Sequence, residues 1–249
     1  MKKLFILFAV TLSVYTVSAQ QFITKGRIEF EKKISLHKEI DARNEGEDNM
    51  WVNGLKKGLP QYKSYFFNLY FDGDKTLYKP GKEDVPPKVP EWIIGPSNDN
   101  VIYTDLSSQQ TTSQKAVFEE TYLIQDSLRK ITWKITNDTR TIAGFECRKA
   151  EGRILDSVYI FAFYTEQIMV PGGPESFNGL PGMVLGIAIP RINTTWFATK
   201  LELIDVKPTD LAAPKKGKKT NYNDLQATLK KATKDWGKWG HRNIWSIML

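Results

Sequence analysis

Cysteine is almost absent: Cys147 is alone in 249 residues, so no disulfide can form within the chain and a packed core must supply its stability. Histidine is nearly as scarce. His37 and His241 stand at opposite ends of the sequence with no ligand spacing around them, which leaves no zinc signature. Neither a Gly-x-Ser-x-Gly elbow nor a glycine-rich phosphate loop occurs. No cofactor is expected. Asp72 and Asp74 alternate as in calcium loops, but the rest of that pattern is missing and a hairpin turn accounts for them. Beyond the first twenty residues no apolar run is long enough to cross a bilayer.

What is present begins with Lys2 and Lys3, an apolar run from Leu4 to Val14, and Val17-Ser18-Ala19. This has the form of a secretory signal peptide over residues 1–19, cut after Ala19. No cysteine follows the run, so the expectation is an exported protein of the periplasm or outer-membrane surroundings that is not a lipoprotein. Of the formal charge of +7, from 35 basic and 28 acidic residues, Lys2 and Lys3 contribute two and leave +5. Lys215, Lys216, Lys218 and Lys219 concentrate part of the excess, which favours weak attraction to anionic surfaces. No nucleic-acid motif is visible and no nucleic-acid partner is expected.

Short β-prone runs recur along the chain. Gly26 to His37 alternates through Ile28, Phe30, Ile34 and Leu36, and reads as a long half-buried strand. Tyr62 to Phe71 and Thr76 to Tyr78 form a hairpin about Asp72-Gly73-Asp74. Asp41 to Gly58 is a surface loop with room for a helical turn near Trp51, and Pro80 to Pro96 is a proline-rich excursion of the kind that often carries function. Further strands are expected at 101–106, 112–118, 121–125, 131–135, 144–151, 157–165, 183–189 and 194–204, with Asn137-Asp138 as one of the turns. Strands at this spacing with little helical periodicity predict a mainly β fold, a curved antiparallel sheet as a half-barrel or open barrel, over 20–207. Residues 208–249 then supply a basic linker and a C-terminal helical element. Asn223 is the expected cap of its helix, Gly237 the expected end, and Leu225, Leu229, Ala232 and Trp236 the apolar stripe.

The centre of the chain is Gly179-Leu180-Pro181-Gly182. Its glycines tolerate positive φ, Pro181 fixes its own φ, and the turn feeds the apolar strand Met183 to Ile189. This is a structural signature. The preceding Pro171 to Phe177 loop reads first as a structured connection, while Glu175, Ser176 and Asn178 form a candidate binding rim. Tyr65, Phe67, Phe71, Trp133, Tyr159, Phe161, Phe163, Trp196 and Phe197 would either line an apolar cavity between sheet and helix or fill an ordinary core. Cys147 reads as a buried small hydrophobe in preference to a reactive thiol.

Gly179-Leu180-Pro181-Gly182-Met183-Val184, with Trp133-Lys134-Ile135, Ile142 to Ala150, Ala162 to Thr165 and Gly173-Pro174, resembles the GLPGLI family of exported Bacteroidota proteins. Met183-Val184 replaces the last two signature residues, and Phe163 stands where Trp is expected. The resemblance implies no enzymatic activity, cofactor or catalytic residue. It implies an envelope protein that accompanies a TonB-dependent outer-membrane transporter. The leading expectation is thus a non-enzymatic accessory or binding protein with an outer-membrane transporter or assembly protein as partner. The alternative is a periplasmic lipid or lipoprotein carrier whose half-barrel holds a small apolar ligand, and a hydrolase built around Ser176 ranks last.

Overall fold

The computed structural model describes residues 22–249 apart from 47–48, 83–88 and 156. The expected signal peptide lies outside the described residues. The chain runs β1 (Lys25–Ser35), α1 (Leu36–Arg43), α2 (Met50–Gly58), β2 (Tyr62–Asp72), β3 (Lys75–Pro80), α3 (Glu91–Ile94), β4 (Val101–Asp105), β5 (Gln110–Val117) and β6 (Glu120–Ser127). It continues through β7 (Trp133–Ile142), β8 (Phe145–Ile154), β9 (Val158–Thr165), β10 (Met183–Ile189), β11 (Thr194–Glu202), β12 (Lys218–Thr220), α4 (Tyr222–Ala232) and α5 (Gly237–Ile247). All twelve strands join one open sheet in the order β12-β6-β5-β4-β3-β2-β1-β11-β10-β9-β8-β7. Neighbours are antiparallel except β12, which lies parallel to β6. The expected mainly β architecture with a C-terminal helix is therefore the observed one.

The sheet curves because its ladders slip. Register shifts fall between Glu29 and Phe30, between Val184 and Gly186, and between Ile135 and Thr139, and each extra residue bends its strand and adds twist. On β1 the period-2 alternation buries Ile28, Phe30, Lys32 and Ile34 on the inner face. Ile28 and Phe30 join Phe67, Leu69 and Phe71 of β2, Tyr78 of β3 and Trp196 of β11 in the main core. A second cluster joins Val117 and Ile124 to Leu225, Leu229, Ile244 and Ile247, seating α4 and α5 on the sheet. Ile34, Leu36, Ile40, Val52 and Ile93 form a third, among α1, α2 and α3.

Several boundaries differ from the sequence reading. The first strand stops at Ser35, and His37 belongs to α1. Asn137-Asp138 is not a turn: β7 runs through it as a bulge, and the chain reverses at Ala143-Gly144. Both residues there have positive φ, 50° and 87°, the conformation that two-residue hairpin turns demand. Asn221 rather than Asn223 caps α4, its side chain accepting from the Asp224 amide at 2.9 Å. Gly237 opens α5 instead of ending a helix.

The glycine-proline turn has a clear packing role. Gly179 and Gly182 adopt φ of 87° and 141°, Leu180 is buried, and the Met183 and Val184 amides donate to the Ile168 and Gly172 carbonyls at 3.0 and 2.8 Å. Trp133 Nε1 donates to the Asn178 carbonyl at 2.9 Å, fastening the turn to the sheet edge. Cys147 is fully buried. Burial pushes its thiol up to about 11, well away from the thiolate that redox or nucleophilic chemistry needs.

Candidate functional site

Seven tryptophans serve a chain whose inner core uses few of them. Three, distant in sequence, meet at one end of the sheet. Trp51 of α2 stacks on Trp92 of α3, with ring centroids 6.3 Å apart and planes 15° apart, and Trp92 stacks on Trp239 of α5 at 5.9 Å and 28°. Opposite them, Phe118 in the β5–β6 turn meets Trp236 edge to face at 5.4 Å. All five rings remain between about one third and three fifths exposed. Trp92, Trp239, Trp236 and Phe118 wall a cleft of about 480 Å³, with Tyr65 deeper in it. Burial pushes the Tyr65 phenol up to about 12, keeping it a neutral donor.

The floor of the cleft is a constrained loop. α3 ends at Gly95, whose φ is 71°, and Ser97 follows with φ of 65°. The Ser97 amide and hydroxyl both donate to the Ala116 carbonyl of β5 at 3.1 Å. Asn98 Nδ2 donates to the Gly95 carbonyl at 2.7 Å, and Lys32 Nζ donates to Asn98 Oδ1 at 3.0 Å and to the Ser97 carbonyl at 3.3 Å. Backbone strain held this firmly is common where a surface must be presented in one conformation. Asn243 of α5 reaches in from the other side, 7% exposed. Arg43 stacks its guanidinium over Trp239 at 5.1 Å, while Glu91 stands at the mouth.

Burial pulls Lys32 down from 10.5 to about 8; Glu175 and Asp99 oppose the shift and Lys115 adds to it. Between about pH 8 and 10.5 the unfolded chain keeps a proton that the folded chain has released, so this group's contribution to stability rises with pH across that window. Below it, the buried ammonium costs stability. We expect the unfolding free energy of Lys32→Met, relative to the parent chain, to be nearly constant up to about pH 8 and then to fall steadily toward pH 10 in urea titrations. A difference that stays flat over that range would assign the titration elsewhere.

The structure places the sequence-predicted residues elsewhere than in this cleft. Glu175, Ser176 and Asn178 are buried, beneath the end of α5. Glu175 adopts a positive φ of 55°, and its Oε2 accepts from Asn100 Nδ2 at 2.9 Å. Asn178 Nδ2 donates to the Ser176 carbonyl at 2.8 Å, and Ser176 Oγ lies 3.5 Å from the Leu249 carbonyl. Of the nine aromatics nominated for a cavity, Tyr65 lines the cleft, Phe67, Phe71 and Trp196 fill the core, and Tyr159 is exposed. His37 and His241 are not brought together: His37 Nε2 lies 3.2 Å from the Leu59 carbonyl and His241 stacks on Trp245. Among the described residues no three metal-ligating side chains cluster, and no helix is long and apolar enough to cross a membrane. Trp236, expected on the apolar stripe of the C-terminal helix, is instead 46% exposed in the cleft wall, while Trp92 and Trp239 escaped the sequence reading as site residues although they sit in proline-rich or polar stretches.

The sequence family described as "N-glycanase peptide, N-terminal domain" matches residues 92–226, more than half of the chain. Two crystal forms of PNGF-II resemble the fold, each with a TM-score of 0.49, at 18% and 17% identity. The similar region covers 81% and 82% of this chain but 33% and 32% of the PNGF-II chain. The chain thus spans about a third of that protein's length. No curated protein sequence matches it. The family match corrects the expectation of a non-enzymatic protein: the matching domain is defined on an N-glycanase, an enzyme, at its N-terminal part. Motif spacing gave no warning, because sites assembled in space leave none.

Proposed function

The chain belongs to the N-glycanase N-terminal domain family, and from that premise we propose that its aromatic cleft engages the glycan of an N-glycosylated peptide, as the substrate-holding part of N-glycan processing. The observation that carries this reading is the convergence of Trp92, Trp239, Trp236 and Phe118 on one cleft whose inner end presents the Asn243 amide. A sugar ring has an apolar C–H face and a polar hydroxyl edge. A flat, rigid indole matches the face at little entropic cost, and amides and carboxylates match the edge. The cleft volume of about 480 Å³ falls within the range of ligand sites. Location outside the cell, expected from residues 1–19, belongs to the same proposal, since glycoproteins are met there.

The test is a titration of the parent chain and Trp239→Ala with a free N-glycan, an N-glycopeptide and a phospholipid micelle, read by tryptophan fluorescence. We expect glycan and glycopeptide to bind, and Trp239→Ala to weaken both at least about tenfold, about 1.4 kcal/mol, with folding intact. Equal binding by Trp239→Ala would remove the cleft from the reading. Binding of lipid alone would put a lipid carrier in its place.

A further inference from the structure

Beside the cleft lies a void of about 20 Å³ between β1, α1, β11 and α5. Three cationic side chains line it, Lys32, Arg43 and Arg242, against one carboxylate, Glu39. Arg43, Ile94, Gly95 and Asn243 line both spaces, so the void and the cleft share a wall.

The carboxylate is already spent. Glu39 Oε1 accepts from Arg242 and, at 2.9 Å, from Asn193 Nδ2. Its Oε2 lies 3.5 Å from Arg43 Nε without hydrogen-bond alignment. Arg43 Nε and Arg242 Nε are buried with no hydrogen-bond partner among the described residues, and the side chain of Arg43 is 3% exposed. Lys32 directs its ammonium at the Ser97 carbonyl and Asn98 Oδ1 and over the Trp196 ring, 5.4 Å from its centroid, so its charge is met apart from the guanidinium pair. The next charges outward do not restore balance: Glu175 and Lys115 act on Lys32 with opposite sign, and Asp99 is exposed. Arg43 and Arg242 share one carboxylate, so one positive charge is left in excess where water is scarce, and buried charge without a counter-charge is among the least tolerated features of a fold.

We infer that a monovalent anion of halide size binds in this void, held by Arg43 Nε and Arg242 Nε. The unmet groups are donors, which a halide satisfies from every direction without needing an acceptor in return. A water molecule fits the volume but leaves the charge, and sulfate or phosphate exceeds the volume. A cation has the wrong sign. Burial and the neighbouring Arg242 pull Arg43 down, against Glu39, as burial pulls down Lys32; an anion here opposes both shifts. It would also tie α5, which carries Trp239 and Asn243, to α1, and so steady the inner wall of the cleft.

The experiment uses the whole chain in gluconate, chloride and bromide salts at constant ionic strength. Because an anion that binds the folded state alone raises the melting temperature with its concentration, we expect a saturable rise with chloride and bromide over gluconate. Arg242→Gln should abolish that rise. If Arg242→Gln does not fold, Arg242→Lys keeps a cation beside Glu39 but removes Nε, and should raise the half-saturating bromide concentration about tenfold, equivalent to about 1.4 kcal/mol. A crystal grown in bromide should give an anomalous peak between Arg43 and Arg242. Identical melting in gluconate and bromide, or bromide found at surface lysines with this void unoccupied, would overturn the assignment.

Discussion

Gly182→Ala is expected to remove most of the chain's stability, by about 3 to 5 kcal/mol, the range reserved for core collisions and forbidden backbone. A β-carbon on Gly182 would lie 2.1 Å from the Thr165 carbonyl oxygen and 2.8 Å from its carbon, and φ is 141°. The obstacle is backbone, so no rotamer change relieves it. β10 would have to leave β9 at the Met183–Thr165 pair, loosening the strand that carries Val184, Leu185 and Ile187 into the core. Gly179→Ala is the internal control: φ is 87°, but the nearest atom to its β-carbon is Trp133 Nε1 at 3.5 Å. Only the backbone penalty of about 1 kcal/mol applies there. Urea unfolding of the two variants decides the matter, and a Gly182→Ala loss no larger than that of Gly179→Ala would show that the close approach is not what fixes the turn.

This turn was legible because glycine and proline act locally: their φ preferences are properties of single residues. The alternation of Ile28, Phe30 and Ile34 was legible for the same reason, as period 2 is written along one strand. Reversal at Ala143-Gly144 was not, since Asn137-Asp138 offers better turn chemistry and the choice between them depends on how β7 pairs with β8. The cleft was further out of reach. Its walls come from residues 92, 118, 236 and 239 and its floor from 95–98, and no spacing rule connects segments that meet only because α5 packs back over the sheet. The same packing explains Glu175, Ser176 and Asn178. Their polarity suggested an open rim, yet the end of α5 covers them, with Lys115 Nζ donating to the Ile247 carbonyl at 3.0 Å and Arg129 donating to that of Met248. One sequence clue went unused. Lys32 occupies an inward position of β1 between Phe30 and Ile34, and a lysine on a buried face signals a polar site, because such a group survives only with partners.

Glu39→Ala should destabilise the chain by about 3 to 5 kcal/mol, the loss typical when one partner of a buried charge group is deleted. The side chain of Glu39 is 6% exposed, and it alone among the described residues supplies negative charge to both Arg43 and Arg242. Removing it strands two guanidinium groups between α1 and α5 and deprives Asn193 Nδ2 of its acceptor. The loss reaches the cleft, because Arg43 supports Trp239 from below and Arg242 sits one residue from Asn243 on the same helix. The glycan affinity proposed for the cleft should therefore fall along with the urea midpoint, and tryptophan emission should shift to the red. Glu39→Gln separates charge from hydrogen bonding: its carbonyl oxygen still accepts from Asn193 and Arg242, so its loss should be smaller than that of Glu39→Ala. Arg242→Ala in the Glu39→Ala background removes one stranded cation and should recover part of the stability, a coupling of 1 kcal/mol or more in a double-mutant cycle, about the size found for groups in one buried network. Additive losses would mean that α5 is held by its apolar contacts with Val117 and Ile124 and that the Glu39 pairs contribute little.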